Sequence, residues 1–129
     1  MSIQIVQISS TLTDCNKELS RSVVRKLRGN YDLLNLDGSI TKIRNGMNFN
    51  DHVHICYVGG LENGEMKDTR TYKQMDALEV YVMYHILMNP STFVTDANFF
   101  GEKSCIFDVE AWLKEIGVHK RHFLTECEL

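Results

Sequence analysis

The chain has 129 residues, of which 43% are hydrophobic and 24% charged, and its formal net charge is −3. This composition is typical of one globular domain over residues 1–129, and a single proline argues against long disordered linkers. Lysine and arginine are spread along the sequence, so we expect no nucleic-acid partner.

Membrane insertion and export are not expected either. No apolar run approaches the roughly 20 residues that span a bilayer, and the N-terminus lacks a basic segment followed by a long apolar one. We therefore predict a cytoplasmic protein without a signal peptide and without a membrane partner. The cysteines form no CxxC pair, which favours reduced thiols over disulfides or a four-sulfur zinc site. They are Cys15, Cys56, Cys105 and Cys127.

The first third of the chain predicts a strand, a helix and a hairpin. Isoleucines at positions 3, 5 and 8 indicate the strand, and an apolar stripe over residues 16–28 indicates the helix. Gly29-Asn30 is expected to end that helix. In residues 31–44, Asp37-Gly38 joins two β-like runs and readily adopts the positive φ angles of a tight hairpin.

The rest of the chain predicts a loop over residues 45–51 and then a continuously apolar, central strand over residues 53–58. After a polar stretch, Thr71 is expected to cap a helix that runs to about Leu87. A short strand over 92–95, a loop and a final helix over 107–116 follow. The order β-α-β-β-β-α-β-α predicts an α/β fold in which a mixed central β-sheet is flanked by helices.

Three segments carry a family resemblance: NYDLLNLDGSI, HICYVGGLENGEMKDTRTYKQMDAL and KSCIFDVEAWL. With them the chain resembles the zinc-dependent N-acetylmuramoyl-L-alanine amidases of the phage-lysozyme and peptidoglycan-recognition-protein type, in the versions carried by prophages and mobile elements of gut Bacteroidetes. The resemblance implies a mixed sheet supporting a groove for the peptidoglycan stem peptide. It also implies a groove-bound zinc ion that activates water against the amide between muramic acid and L-alanine.

The resemblance assigns three positions to the zinc ion. The first is Gln7, in VQISST, where the family has the histidine of an IHCSAT motif. The second is Asp96, or Ala97 if the loop alignment shifts by one residue, and the third is Cys105. An amide oxygen is a neutral, weak ligand for zinc, which prefers imidazole, thiolate or carboxylate. We therefore expect a degraded site that binds no zinc tightly, and hence an inactive enzyme.

Two further positions match catalytic residues of the family. Tyr31 would place its hydroxyl near the scissile carbonyl, and Lys103 would place a cation beside the developing oxyanion. Asp32, however, stands where the family has the histidine of its GYHF motif. Cys105 as a thiolate nucleophile is the weaker hypothesis, because no histidine has a motif-supported position beside it.

The histidines are open to more than one interpretation. His52 and His54 alternate with Val53 and so point to one face of their strand. A groove-facing framework or solvent-exposed role is favoured for both over metal binding. His119 and His122, three residues apart, are more simply explained as solvated charges in a basic C-terminal patch than as ligands.

Three functions remain for the domain. The first is a non-catalytic amidase-like domain that binds a stem peptide or a protein partner. The second is an active zinc amidase, such as a prophage lysin released by a holin or by lysis. The third is a decoy or regulatory domain that meets a protein partner through exposed aromatic side chains in its loops. The candidates for that contact are Phe49, Phe99 and Phe100.

Overall fold

The computed structural model describes residues 3–45, 51–96 and 106–124. Its main sheet has five strands in the order β4-β3-β5-β1-β8, and the smaller sheet has three in the order β2-β6-β7. The elements are β1 Gln4–Ser10, β2 Thr13–Asp14, α1 Arg21–Lys26, β3 Asn30–Leu34, β4 Ile40–Arg44, β5 His52–Tyr57, β6 Gly60–Glu62, β7 Glu65–Met66, α2 Tyr72–Met88, β8 Thr92–Asp96 and α3 Val109–Glu115.

The main sheet is mixed, as the sequence predicts. Strands β3, β5, β1 and β8 run parallel to one another, and only β4 runs antiparallel, next to β3. The hairpin forms where Asp37-Gly38 predicts it, with Gly38 at a φ of 87°. Strand β5 lies between β3 and β1, which confirms the prediction of a central strand.

One face of the sheet packs against α2 and α3. The apolar side chains of the central strands, such as Ile8 and Ile55, share a core with Leu78 of α2 and Trp112 of α3. Helix α2 begins where predicted, because Thr71 accepts a hydrogen bond from the backbone of Gln74 and the Gln74 side chain accepts one from the backbone of Thr71.

The other face is covered near the β3–β4 end by α1 and the residues around it. Leu33 and Ile43 of the sheet pack there with Val24 of α1 and with Leu19. Helix α1 is shorter than the predicted residues 16–28. Ser20 accepts a hydrogen bond from Val23 N and begins the helix, so Leu19 precedes it.

The small sheet was not predicted. Its β6–β7 hairpin forms within the polar stretch after β5, where Asn63 and Gly64 both have positive φ angles, 53° and 79°. Asn-Gly is a strong hairpin signal, but its strands are too short and polar to show an apolar alternation. β6 also pairs in parallel with β2, so the small sheet extends the carboxyl end of β1.

Two other expectations concern cysteines and membranes. Cys15 and Cys56 form no disulfide within the described residues, and Cys105 and Cys127 lie outside them, so the prediction of reduced cysteines stays a prediction. Among the described helices, none combines the length and apolar character that crossing a membrane requires.

Candidate functional site

The most polar part of the sheet is the face of β5, β1 and β8 that lies opposite α2. Strand register places Gln7 beside His54 and Thr95, and Ile5 beside His52. Register partners in parallel strands point to the same side, so these polar side chains share one face. We call this set the histidine face: Gln7, Ser9, His52, His54 and Thr95.

A hydrogen bond joins His52 to Gln7. Nε2 of His52 lies 2.9 Å from Oε1 of Gln7 and donates to it, since an amide oxygen can only accept. Gln7 is buried whereas His52 is exposed. The amide of Gln7 therefore anchors an imidazole that reaches the surface.

A second hydrogen bond joins Ser9 to His54. The Ser9 hydroxyl lies 2.5 Å from Nε2 of His54, and the ring of Tyr31 is tilted against the imidazole with 5.8 Å between ring centroids. Burial lowers the pKa of His54 to about 4, with a smaller contribution from His52, while Asp32 opposes the shift. His54 is therefore neutral near pH 7.

The Ser9–His54 pair has the atoms of a nucleophile and a base, but its setting does not suit catalysis. Ser9 is only 2% exposed, so its hydroxyl cannot meet a substrate carbonyl without a rearrangement of the sheet. A histidine with a pKa near 4 is also a weak base at neutral pH. We therefore interpret the pair as a structural contact that holds the His54 ring in place.

The first two positions that the resemblance assigns to zinc point away from each other. Gln7 is in register with Thr95, whereas Asp96 is in register with Ile8. Because successive strand residues point to opposite faces, Asp96 belongs to the face that α2 covers. The amide oxygen of Gln7 already accepts the hydrogen bond from His52. These two positions do not fit a shared zinc ion.

The other predicted site residues fall into two groups. Tyr31 lies next to the histidine face, and burial, with a smaller effect of Cys56, raises the pKa of its hydroxyl. The second group lies outside the described parts of the chain. It comprises the alternative zinc position Ala97 and the candidates Phe49, Phe99, Phe100, Lys103 and Cys105. In residues 3–45, 51–96 and 106–124, no three His, Cys, Asp or Glu side chains are grouped so as to hold a metal ion.

The interpretation of His122 as a solvated charge is wrong. The side chain is buried, its Nδ1 donates to Thr92 O at 2.9 Å, and its Nε2 accepts from Arg121 Nε at 3.2 Å. His119 is exposed, as expected, and its Nδ1 accepts from Arg121 N at the start of a short 3-10 turn. His122 thus connects this turn to β8, whereas His119 caps the turn.

Sequence reasoning did not find the contacts of Asp32. Its carboxylate accepts a hydrogen bond from the Tyr81 hydroxyl at 2.8 Å and forms an ion pair with Arg44 at 2.9 Å. The ring of His85 lies 4.7 Å from that of Tyr81, and burial lowers the pKa of His85. The position where the family has a histidine is therefore an ionic anchor for α2, on the opposite side of the sheet from the histidine face.

Comparison with known proteins adds no family assignment. No protein-family model matches the sequence, and no curated protein matches it significantly. The amidase resemblance therefore stays a hypothesis based on the motifs quoted above.

Proposed function

We propose that the chain is an amidase-like domain of the peptidoglycan-recognition type that binds its ligand without hydrolysing it. The ligand is a peptidoglycan stem peptide, or a partner protein that occupies the same surface. The proposal combines the motif resemblance with the mixed sheet flanked by helices and with the chemistry of the histidine face.

The observation that carries the proposal is the hydrogen bond between Gln7 and His52. At the position of the family's first zinc ligand, the side chain is a neutral amide whose oxygen serves as an acceptor for a neighbouring imidazole. Changes outside the ligand set already reduce metal affinity or activity by about 10-fold to 100-fold. Replacing a ligand itself should have a larger effect, and without metal-activated water there is no strong nucleophile at pH 7.

The same hydrogen bond suits a binding role. An exposed imidazole held by a buried amide presents a fixed polar group without the loss of rotamer freedom that a mobile side chain undergoes on binding. Since Nε2 of His52 donates to Gln7, recognition of a stem peptide would use the other ring nitrogen, Nδ1, which can accept from a backbone N–H of the peptide. Tyr31 provides a flat apolar surface next to His54, on the same face.

Retention on purified peptidoglycan tests the proposal. The wild-type protein should co-sediment with the wall and be displaced by soluble stem peptide. His52→Ala should weaken retention about tenfold, as expected for the loss of one or two hydrogen bonds. The matched control is His119→Ala, which removes another exposed imidazole, one that lies outside the histidine face.

Two outcomes would contradict the proposal. If the protein is not retained on the wall, or if both substitutions reduce retention equally, the histidine face does not bind the stem peptide. Release of stem peptide during the incubation would instead identify an active amidase. If the wild type captures one protein partner but is not retained on the wall, and His52→Ala abolishes this capture, the ligand of the histidine face is a partner protein.

A further inference from the structure

A second surface, independent of the histidine face, lies at the β4 end of the main sheet. β4 is the terminal strand in the order of the sheet, and among the described residues only β3 pairs with it. An open strand edge presents backbone donors and acceptors that another chain can use.

The register shows which backbone groups point outward. Asn35 N bonds Ser39 O at 2.8 Å and Asn45 N bonds Gly29 O at 2.9 Å, so these are the hydrogen-bonded positions of the ladder. Because such positions alternate along an antiparallel pair, Thr41 and Ile43 also bond β3. The N–H and C=O groups of the intervening residues therefore face the open edge. These are Ile40, Lys42 and Arg44.

An apolar groove of about 590 Å³ borders this edge on the α2 side. Ile40 lines it together with Val80 and Tyr84 of α2, which are 67% and 57% exposed. Residues 80–88 of this helix, VYVMYHILM, contain no Asp, Glu, Lys or Arg. Leu87 and Met88 are also exposed, so the apolar surface continues to the end of α2.

A second groove, of about 400 Å³, borders the same edge on the α1 side. Thr41 of β4 lines it together with Arg21 and Arg25 of α1, both of which are exposed. Glu18 also lines it, but its carboxylate accepts a hydrogen bond from Leu36 N at 2.8 Å. The first groove is thus mostly apolar, although Asp37, Lys73 and Asp76 also line it, and the second has two arginines against one glutamate.

The surrounding charge favours an acidic ligand. Residues 17–44, which form α1, β3 and β4, contain seven Lys and Arg against three Asp and Glu, a net charge of +4. The rest of the chain contains seven Lys and Arg against fourteen Asp and Glu, a net charge of −7, so the whole chain has a net charge of −3. Half of the Lys and Arg side chains therefore lie in one segment that forms one end of the sheet, where they attract negative partners.

We propose that the β4 edge binds an extended acidic segment of a partner protein by strand addition. Successive side chains of an added strand point to opposite faces. Acidic side chains would then lie over Arg21 and Arg25, and the apolar side chains between them would enter the groove beside Val80 and Tyr84. A second copy of the chain fits less well, because antiparallel pairing centred on Lys42 would place two lysines opposite each other.

The probe for this proposal is a short fluorescent peptide in which glutamate and valine alternate, with binding followed by anisotropy. We expect saturable binding that weakens as salt is added. A peptide of the same composition with its glutamates and valines in separate blocks should bind less tightly, because it cannot supply both grooves at once.

Three variants separate charge from strand pairing. Arg21→Glu with Arg25→Glu should weaken binding at least tenfold. Lys114→Glu with Lys120→Glu is the matched control, with the same change in net charge on exposed residues far from β4. Lys42→Pro, which removes an outward N–H without removing a bond to β3, should weaken binding more than Lys42→Ala does. Circular dichroism and thermal unfolding check that each variant is folded.

Several results would overturn the proposal. These are an absence of saturable binding, equal losses in the Arg21/Arg25 and Lys114/Lys120 variants, or equal losses in Lys42→Pro and Lys42→Ala. A free protein that is dimeric and becomes monomeric in Lys42→Pro would assign the edge to a second copy. Tighter binding of a single-stranded oligonucleotide than of the alternating peptide would assign the basic end to nucleic acid. If Lys42→Pro does not fold, the paired arginine variants and the block peptide still decide between these outcomes.

Discussion

The hydroxyl of Tyr81 donates a hydrogen bond to the carboxylate of Asp32 at 2.8 Å, which connects the middle of α2 to strand β3. Burial, then the charge of Asp32, raises the pKa of Tyr81, so the hydroxyl stays protonated and acts as a donor. Asp32 is also held by Arg44 from the edge strand. The helix, β3 and β4 are therefore tied together at one carboxylate.

Tyr81→Phe should lower the free energy of unfolding. A hydrogen bond to a charged group contributes about 1.5–3 kcal/mol, and we expect the low end because Asp32 keeps its ion pair with Arg44. Urea unfolding followed by circular dichroism measures the change. Tyr84→Phe, on the exposed side of the same helix, should change stability by less than about 0.5 kcal/mol. Equal effects of the two substitutions would contradict the role given to the Asp32 contact.

Gln74→Leu should destabilise the protein more strongly. The buried amide of Gln74 donates to Val58 O at 3.0 Å and to Leu34 O at 3.3 Å, and its oxygen accepts from Thr71 N at 2.9 Å. A leucine of similar size leaves Val58 O and Thr71 N without these partners, at about 1–3 kcal/mol for each buried group.

Thr71→Ala is the comparison for Gln74→Leu. It removes the cap of α2 and the hydrogen bond that the Thr71 hydroxyl donates to Leu36 O at 2.7 Å, and should cost about 1–2 kcal/mol. Both variants can be measured by thermal and urea unfolding. If Gln74→Leu were no more destabilising than Thr71→Ala, the amide would not be the main tie between α2 and the ends of β3 and β5.

His54 should make stability depend on pH. Its pKa is about 4 in the folded protein, against 6.5 for an unperturbed histidine, so the unfolded state binds a proton more readily. The contribution of uncharged His54 to the free energy of unfolding is therefore complete above pH 6.5. It is lost as the pH falls towards 4, which lowers that free energy by at most about 3 kcal/mol. His85, whose pKa is also lowered by burial, acts in the same direction.

Unfolding measured across this pH range in the wild type and in His54→Gln tests the assignment. The variant should lose less stability between pH 6.5 and pH 4, because glutamine does not titrate. His119→Gln should behave as the wild type does. A pH dependence that is unchanged in His54→Gln would show that other groups, such as His85, produce it.

The elements that the sequence predicted well are those with local signals. Asp37-Gly38 specified the hairpin through the positive φ of Gly38, and Thr71 specified the start of α2 through its side-chain oxygen. Helix α1 was predicted too long because the apolar stripe includes Leu19, which packs in the core although Ser20 begins the helix. Periodicity does not distinguish a helical residue from one that packs just outside a helix.

The sequence predicted the contacts within the candidate site less well. The pairs Gln7–His52 and Ser9–His54 are each separated by 45 residues, and their contact depends on the register between parallel strands β1 and β5. No local pattern specifies such a register. The same register sends Asp96 to the face opposite Gln7, which alignment of motifs alone did not reveal.

The most direct measurement of the central claim combines metal content with wall hydrolysis. Protein purified without chelator is analysed by elemental mass spectrometry and then incubated with purified peptidoglycan, while released stem peptide is quantified. We predict far less than one zinc ion per chain and no release above buffer, with the protein retained on the wall. About one zinc ion per chain, together with release of stem peptide, would contradict a binding domain and establish a working amidase.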